Sequence, residues 1–171
     1  NNVQGASDAG LIPMVFPDYQ SVEAADIRSR FEDFWGVALD PKRGLTVVEI
    51  VHAILDGEIK GMYIMGENPA MSDPDQSHAR EALATLEHLE VQDIFLTETA
   101  WQADVVLPAS AHAEKTGTFT NTNRQVQLAR EVVPMPGDAR QDWWITQEIA
   151  QRIGLDWNYT HPRDVFAEMT G

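Results

Sequence analysis

The chain has 171 residues, no cysteine, and 12 Lys and Arg against 27 Asp and Glu, a formal charge of −15 split almost evenly between its halves. With 43% hydrophobic and 23% charged residues it has the composition of a globular domain, not of a disordered acidic chain. The charge excludes nonspecific binding to nucleic acid or anionic lipid, and the missing cysteines exclude disulfides, thiolate catalysis, iron–sulfur ligation and Cys-based zinc sites made by this chain.

Residues 1–20, with Gly5, Gly10, Pro13 and Pro17, show neither a helical nor a strand period and read as an extended loop. Residues 21–171 read as an α/β domain. Val22, Ile27, Phe31, Phe34 and Trp35 recur at helical spacing before Gly36. Thr46 to Glu49 is a capping box, flanked by Leu45 and Ile50 at the staple positions, and Gly57 supplies the stop. Gly61 to Met65 is a short apolar run of the kind buried in a parallel sheet. Asp73-Pro74-Asp75-Gln76 predicts a helix with Asp73 as N-cap. Further apolar runs at Leu89–Leu96 and Asp104–Leu107 predict two more strands, and Arg124–Val133 a looser one. Asp138 to Gln141 marks another boxed helix start, before Trp143, Trp144, Ile145, Ile149 and Ile153, and a last helix follows Pro162. Helices and strands in this alternation predict a Rossmann-like parallel sheet flanked by helices. No apolar run approaches the roughly 18–20 residues that span a bilayer.

Three places stand out chemically. The loop Gly66-Glu67-Asn68-Pro69 lies between a strand's C-terminal end and a helix start, where open α/β sheets bind ligands and where free N–H groups suit a phosphate. An ordinary turn accounts for it equally well, since the glycine-rich fingerprints are absent. Asp93, beside Gln92 at a strand end, is placed to accept ribose hydroxyls, although Asp is common at strand ends without any ligand. Asp142, at a helix start, has two oxygens for the paired N–H donors of a base such as guanine, although a first-turn Asp is favoured there by the helix dipole alone. Ser110, His112 and Glu114 are too close in sequence for a catalytic triad. The five histidines show no metal-ligand spacing, so no metal site is assigned. Lys115 to Arg130 carries Lys115, Arg124 and Arg130 without an acid, and reads either as a solvated strand edge or as a docking face for phosphates or another domain. The acceptor sequence Asn158-Tyr159-Thr160 has no meaning without a secretory signal.

With these segments laid out, the sequence resembles the catalytic alpha subunit of molybdenum or tungsten formate dehydrogenases, within the molybdopterin oxidoreductase family. The resemblance rests on Asn1-Asn-Val-Gln-Gly-Ala-Ser-Asp-Ala-Gly10, Tyr63-Ile-Met-Gly-Glu-Asn-Pro69, Val91-Gln-Asp-Ile-Phe-Leu-Thr-Glu-Thr-Ala100, Ala103-Asp-Val-Val-Leu-Pro108, Glu114-Lys-Thr-Gly-Thr-Phe-Thr-Asn121 and Asp142-Trp143. It implies a molybdopterin guanine dinucleotide-binding domain of a larger subunit, with residues 1–20 passing near the cofactor. Gly66, Glu67, Asn68 and Ser72 then look like phosphate and ribose contacts, Gln92 and Asp93 the next strand's contribution, and Asp142 the guanine-reading carboxylate. At Ala109 some relatives have a cofactor-touching serine, so that contact departs from the family pattern.

The resemblance also implies what lies outside this chain. The metal's Cys or selenocysteine ligand, the substrate Arg and a 4Fe-4S cluster belong to the rest of the subunit, so no catalytic residue is assigned and the chain alone is expected to be inactive. The full enzyme would oxidise formate in the cytoplasm, without membrane insertion, and pass electrons to partner subunits carrying iron–sulfur, flavin and NAD. Alternatives are another family member such as assimilatory nitrate reductase, or a scaffold domain of the same fold, as in the large subunit of respiratory NADH dehydrogenase.

Overall fold

The computed structural model describes residues 2–170, which form two units: residues up to Ile50 with Phe119–Gln127, and Val51–Thr118 with Leu128 onward. In the first unit the expected extended loop is instead partly regular. It contains helix α1 (Val3–Asp8), strand β1 (Val15–Phe16), a 3-10 turn at Pro17–Tyr19 and strand β2 (Gln20–Ser21). A cap and not an apolar stripe starts α1: Asn2 Oδ1 accepts from the Gly5 N–H at 3.2 Å. The same oxygen accepts from the Thr120 N–H at 3.3 Å. Gly10 has φ +88°, and a Cβ there would stand 2.7 Å from the Pro17 nitrogen, so only glycine fits.

Strands β1 and β2 pair antiparallel, with Val15 opposite Ser21. Helix α2 (Ala25–Trp35) stops at Gly36, whose φ of +67° makes the left-handed C-cap. Its Phe31 ring stacks on buried Phe16 with centroids 4.5 Å apart, and Trp35 lies 5.0 Å from Phe31. Phe16, Phe31 and Trp35 form a small aromatic cluster, and Val22 is also buried in this unit. The predicted capping box opens α3 (Val47–Leu55). The Glu49 N–H donates to Thr46 Oγ1 at 3.4 Å and the Thr46 N–H to Glu49 Oε2 at 2.7 Å.

The second unit is built on strands β3 (Gly61–Met65), β4 (His88–Asp93) and β5 (Val105–Pro108). They form a parallel sheet in the order β3-β4-β5, with Met65 opposite Gln92 and Asp93 opposite Pro108. Helices α4 (Pro69–Ser72) and α5 (Gln76–Thr85) connect β3 to β4. The central strand buries Leu89 and Val91 against Ile64, Ala70, Leu83 and Ala100. Strand alternation sends fully buried Gln92 to the opposite face. Beyond β4 the chain exposes Ile94, Phe95 and Leu96, and Trp101 shortly after them.

Two helix starts differ from expectation. Asp75, not Asp73, caps α5 by accepting from the His78 N–H at 3.1 Å, because α4 occupies the preceding turn and Asp73 Oδ1 accepts from the Asp75 N–H. Helix α6 (Asp142–Arg152) begins after Gln141, not after Asp138. The Arg140 N–H donates to Pro108 O at 3.0 Å and its carbonyl accepts from the Ser110 N–H at 2.9 Å, so this stretch is held extended beside β5. Strands β6 (Gly117–Thr120) and β7 (Val126–Ala129) pair in a two-stranded sheet, and α7 (Pro162–Thr170) follows Pro162 as read.

Candidate functional site

The three parallel strands end level. The Gly66 N–H donates to Gln92 O at 2.9 Å and the Ala109 N–H to Asp93 O at 3.0 Å, so Gly66, Asp93 and Ala109 mark one edge of the sheet. Gly66 takes φ +66°, the left-handed conformation that turns the chain out of β3. Asp93 is spent locally. Its Oδ1 accepts from the N–H groups of Ile94 at 2.6 Å and Phe95 at 3.3 Å, closing the turn after β4.

The loop after β3 is organised by Asn68. Its Oδ1 accepts from the Thr99 N–H at 3.1 Å and the Thr99 hydroxyl at 2.8 Å, and its Nδ2 donates to Glu98 at 2.8 Å. The Asn68 contact, then Glu98's own backbone N–H, holds the Glu98 carboxyl below the usual range. The helix-start N–H groups expected for a phosphate are already used. Pro69 has none, Ala70 donates to Thr99 Oγ1 at 3.0 Å, and Met71 and Ser72 donate to Asn68 O. With α4 only four residues long, this end of the sheet offers side chains and the loop itself, not a helix dipole. Glu67 and Ser72 are exposed on that loop.

A second cluster centres on Asp142. Gln92, with no exposed surface, donates from Nε2 to Asp142 Oδ1 at 2.7 Å and accepts from the Tyr63 hydroxyl at its own Oε1. Lys115 pairs with the other carboxylate oxygen, Oδ2, and donates to Ser110 O at 3.0 Å. Four separate segments of chain are thereby joined in one network: two adjacent strands, the β5–β6 connection and the start of α6. The Ser110 hydroxyl is buried and has no hydrogen-bond partner among the described residues. A buried polar group left unpaired is costly, and a ligand donor or acceptor would satisfy it.

Burial first, then the charges of Glu90 and Asp142, push Tyr63 up to about 12, which keeps it a protonated donor to Gln92. Because the folded value exceeds the ordinary phenol value near 10, this group's contribution to stability is complete below about pH 10 and is lost as pH rises through about 12. Absorbance titration should show a Tyr63 phenolate step near pH 12, alongside a Tyr159 also raised by its hydrogen bond to Glu168, and Tyr63→Phe should remove one tyrosine's worth of the high-pH change. A Tyr63→Phe chain whose high-pH amplitude is undiminished would refute the assignment.

Gln92 and Asp142 are therefore brought together, while Asn68 sits in a separate network with Thr99. Sequence reasoning missed Tyr63, Thr99 and Lys115 as members of these networks. The acid-free segment was the available signal for Lys115, which pairs with Asp142. Arg124 lies 3.9 Å from Asp8 and over the Tyr19 ring at 5.2 Å. Ser110, His112 and Glu114 form no triad; Glu114 accepts from the Ala111 N–H at 2.8 Å. A groove of about 610 Å³ runs along α6, lined by Leu107, Pro108, Trp144, Ile149 and Ile153 among others, and neither Gln92 nor Asp142 lines it.

Three parallel strands flanked by helices, with a carboxylate braced by a buried amide and an ammonium beside the end of β4, define a Rossmann-like α/β domain. The chain belongs to the molybdopterin oxidoreductase family, whose profile matches residues 2–152. It is 52% identical over 171 residues to the F420-dependent formate dehydrogenase subunit alpha of Methanocaldococcus jannaschii, covering 99% of this chain and 25% of that one. It is 49% identical over 169 residues to the putative formate dehydrogenase YrhE of Bacillus subtilis, covering 99% of this chain and 17% of that protein. The chain thus spans a quarter or less of these curated relatives. Acetylene hydratase from Pelobacter acetylenicus shares the fold, with a TM-score of 0.60 at 22% identity over 78% of this chain and 20% of that one.

Proposed function

We propose that this chain is the pterin guanine dinucleotide-binding part of a formate dehydrogenase alpha subunit, whose full-length enzyme oxidises formate to CO2 at a molybdenum or tungsten bis-pterin centre. The observation that carries the proposal is the carboxylate of Asp142 at the strand ends, fixed by buried Gln92 and paired with Lys115. Two near-full-chain relatives named as formate dehydrogenases support the formate reading over the nitrate one.

The residues present fit such a group. Each Asp142 oxygen accepts one hydrogen bond here and has a further lone pair for a base's N–H donors, and the buried Ser110 hydroxyl needs a partner. Asp142, oriented by buried Gln92, would hold the base. Gly66, Glu67, Asn68, Ser72 and Asp93 would border the ribose and phosphates, with Asn68 and Asp93 acting through the turns they fix. When bound, the group supplies the metal centre at which formate loses its electrons. The chain's own share is to bind and orient the dinucleotide. The proposed electron path leads through a 4Fe-4S cluster elsewhere in the subunit to cytoplasmic partner subunits with iron–sulfur, flavin and NAD.

The test compares formate-dependent dye reduction by the 171-residue chain and by the full-length subunit. The chain alone should give none and the full subunit should turn over. Turnover by the chain would overturn its reading as a binding domain. A full subunit that carries pterin and metal yet ignores formate would overturn the formate assignment.

A further inference from the structure

The geometry points to Lys115 as a specificity residue that, together with Asp142, selects guanine over adenine. This inference rests on the dinucleotide reading above and adds a residue to it. An ammonium group has three N–H donors, and Lys115 uses two of them among the described residues, one on Asp142 Oδ2 and one on Ser110 O at 3.0 Å. The remaining donor stands beside the carboxylate, with the Lys115 side chain 21% exposed and that of Asp142 34% exposed. The pair thus offers an acceptor edge next to a donor, within reach of solvent.

Guanine presents the complementary edge: N1–H and the N2 amino group donate, and O6 beside them accepts. Asp142 takes the two donors through its remaining lone pairs, and the third N–H of Lys115 meets O6. Adenine reverses the pattern, placing its N6 amino group toward the ammonium and its bare N1 toward the carboxylate. Both mismatches leave like groups facing each other in a partly desolvated site. Gln92 acts differently. Being fully buried behind Asp142, it is a positioning residue that fixes the carboxylate's orientation.

The experiment measures binding of GDP, IDP and ADP to the cofactor-free full-length subunit by calorimetry. The wild type should prefer GDP to ADP. IDP keeps N1–H and O6 but lacks the N2 amino group, so it isolates the Asp142 contact. Lys115→Met should weaken GDP and IDP together by roughly tenfold or more, leave ADP no weaker, and preserve the GDP to IDP ratio. Lys115→Arg, which keeps charge and donors, should retain the preference. If Lys115→Met does not fold, Lys115→Gln decides in its place: it must reduce the GDP to ADP ratio where Lys115→Arg holds it. A substitution that weakens GDP and ADP equally, or changes neither, overturns the role of Lys115 while leaving the dinucleotide reading intact. A wild-type subunit that binds GDP and ADP alike overturns the dinucleotide reading and this inference with it.

Discussion

Asp142→Ala in the full-length subunit is expected to lower bound pterin dinucleotide, bound metal and formate oxidation together. Two charge-assisted hydrogen bonds to a base contribute about 1.5–3 kcal/mol each, so affinity should fall on the order of 100-fold or more. The substitution also strands the Nε2 of Gln92, which has no exposed surface, and orphaning such a donor costs roughly 1–3 kcal/mol of stability. Lys115 suffers less, because it keeps Ser110 O and some solvent. Asp142→Asn separates the two effects: it keeps an acceptor for Gln92 but removes the charge, so it should fold better and still lose cofactor. Metal content and GMP released by acid treatment are the readouts. Unchanged values for both in Asp142→Ala would remove Asp142 from the site.

Asn68→Ala should be the most damaging change to the loop itself. It removes the acceptor for two Thr99 donors, the N–H at 3.1 Å and the hydroxyl at 2.8 Å, and Thr99 is fully buried. Two orphaned donors cost about 2–4 kcal/mol, which lowers Tm by roughly 6–12 °C in a chain of this size. The contact to exposed Glu98 is left out of that figure, although the Glu98 carboxyl should return toward its ordinary range once Asn68 is gone. Asn68→Asp keeps the oxygen that Thr99 needs but sets a second carboxylate against Glu98, so it should recover only part of the loss. Thermal unfolding followed by circular dichroism measures both. A drop under about 1 °C for Asn68→Ala would show that Thr99 finds other partners and that Asn68 does not hold this turn.

The parallel sheet was legible because its strands are short apolar runs bounded by Gly66, Pro108 and charged turns, although the burial expected of such runs holds only for the central strand: β3 buries Ile64 alone and β5 no residue. Helix α3 was legible because its cap is written in contiguous residues. Helix α1 was not, since Asn2 starts it without any apolar period, and β6 was hidden in the polar run Gly117 to Thr120. The start of α6 was misplaced because the competing interaction, Arg140 against Pro108 and Ser110, comes from a distant part of the chain. The site divides in the same way. Gln92 and Asp142 lie 50 positions apart, and no local pattern reports that they touch. Nor does one reveal that the loop's N–H groups, suited to a phosphate by their position, are consumed by Asn68 and Thr99.

The contact between Tyr63, Gln92 and Asp142 also has a direction. The phenol gives a proton to the amide oxygen, the amide nitrogen gives one to the carboxylate, and a carboxylate can only receive. Turning the amide over would set acceptor against acceptor at the carboxylate, so Gln92 has a single workable orientation. Influence runs backwards along the same line, because the charge on Asp142 helps keep the proton on Tyr63. Whatever neutralises that carboxylate relaxes the phenol as well, and the strand thereby carries an optical reporter of events at the helix start.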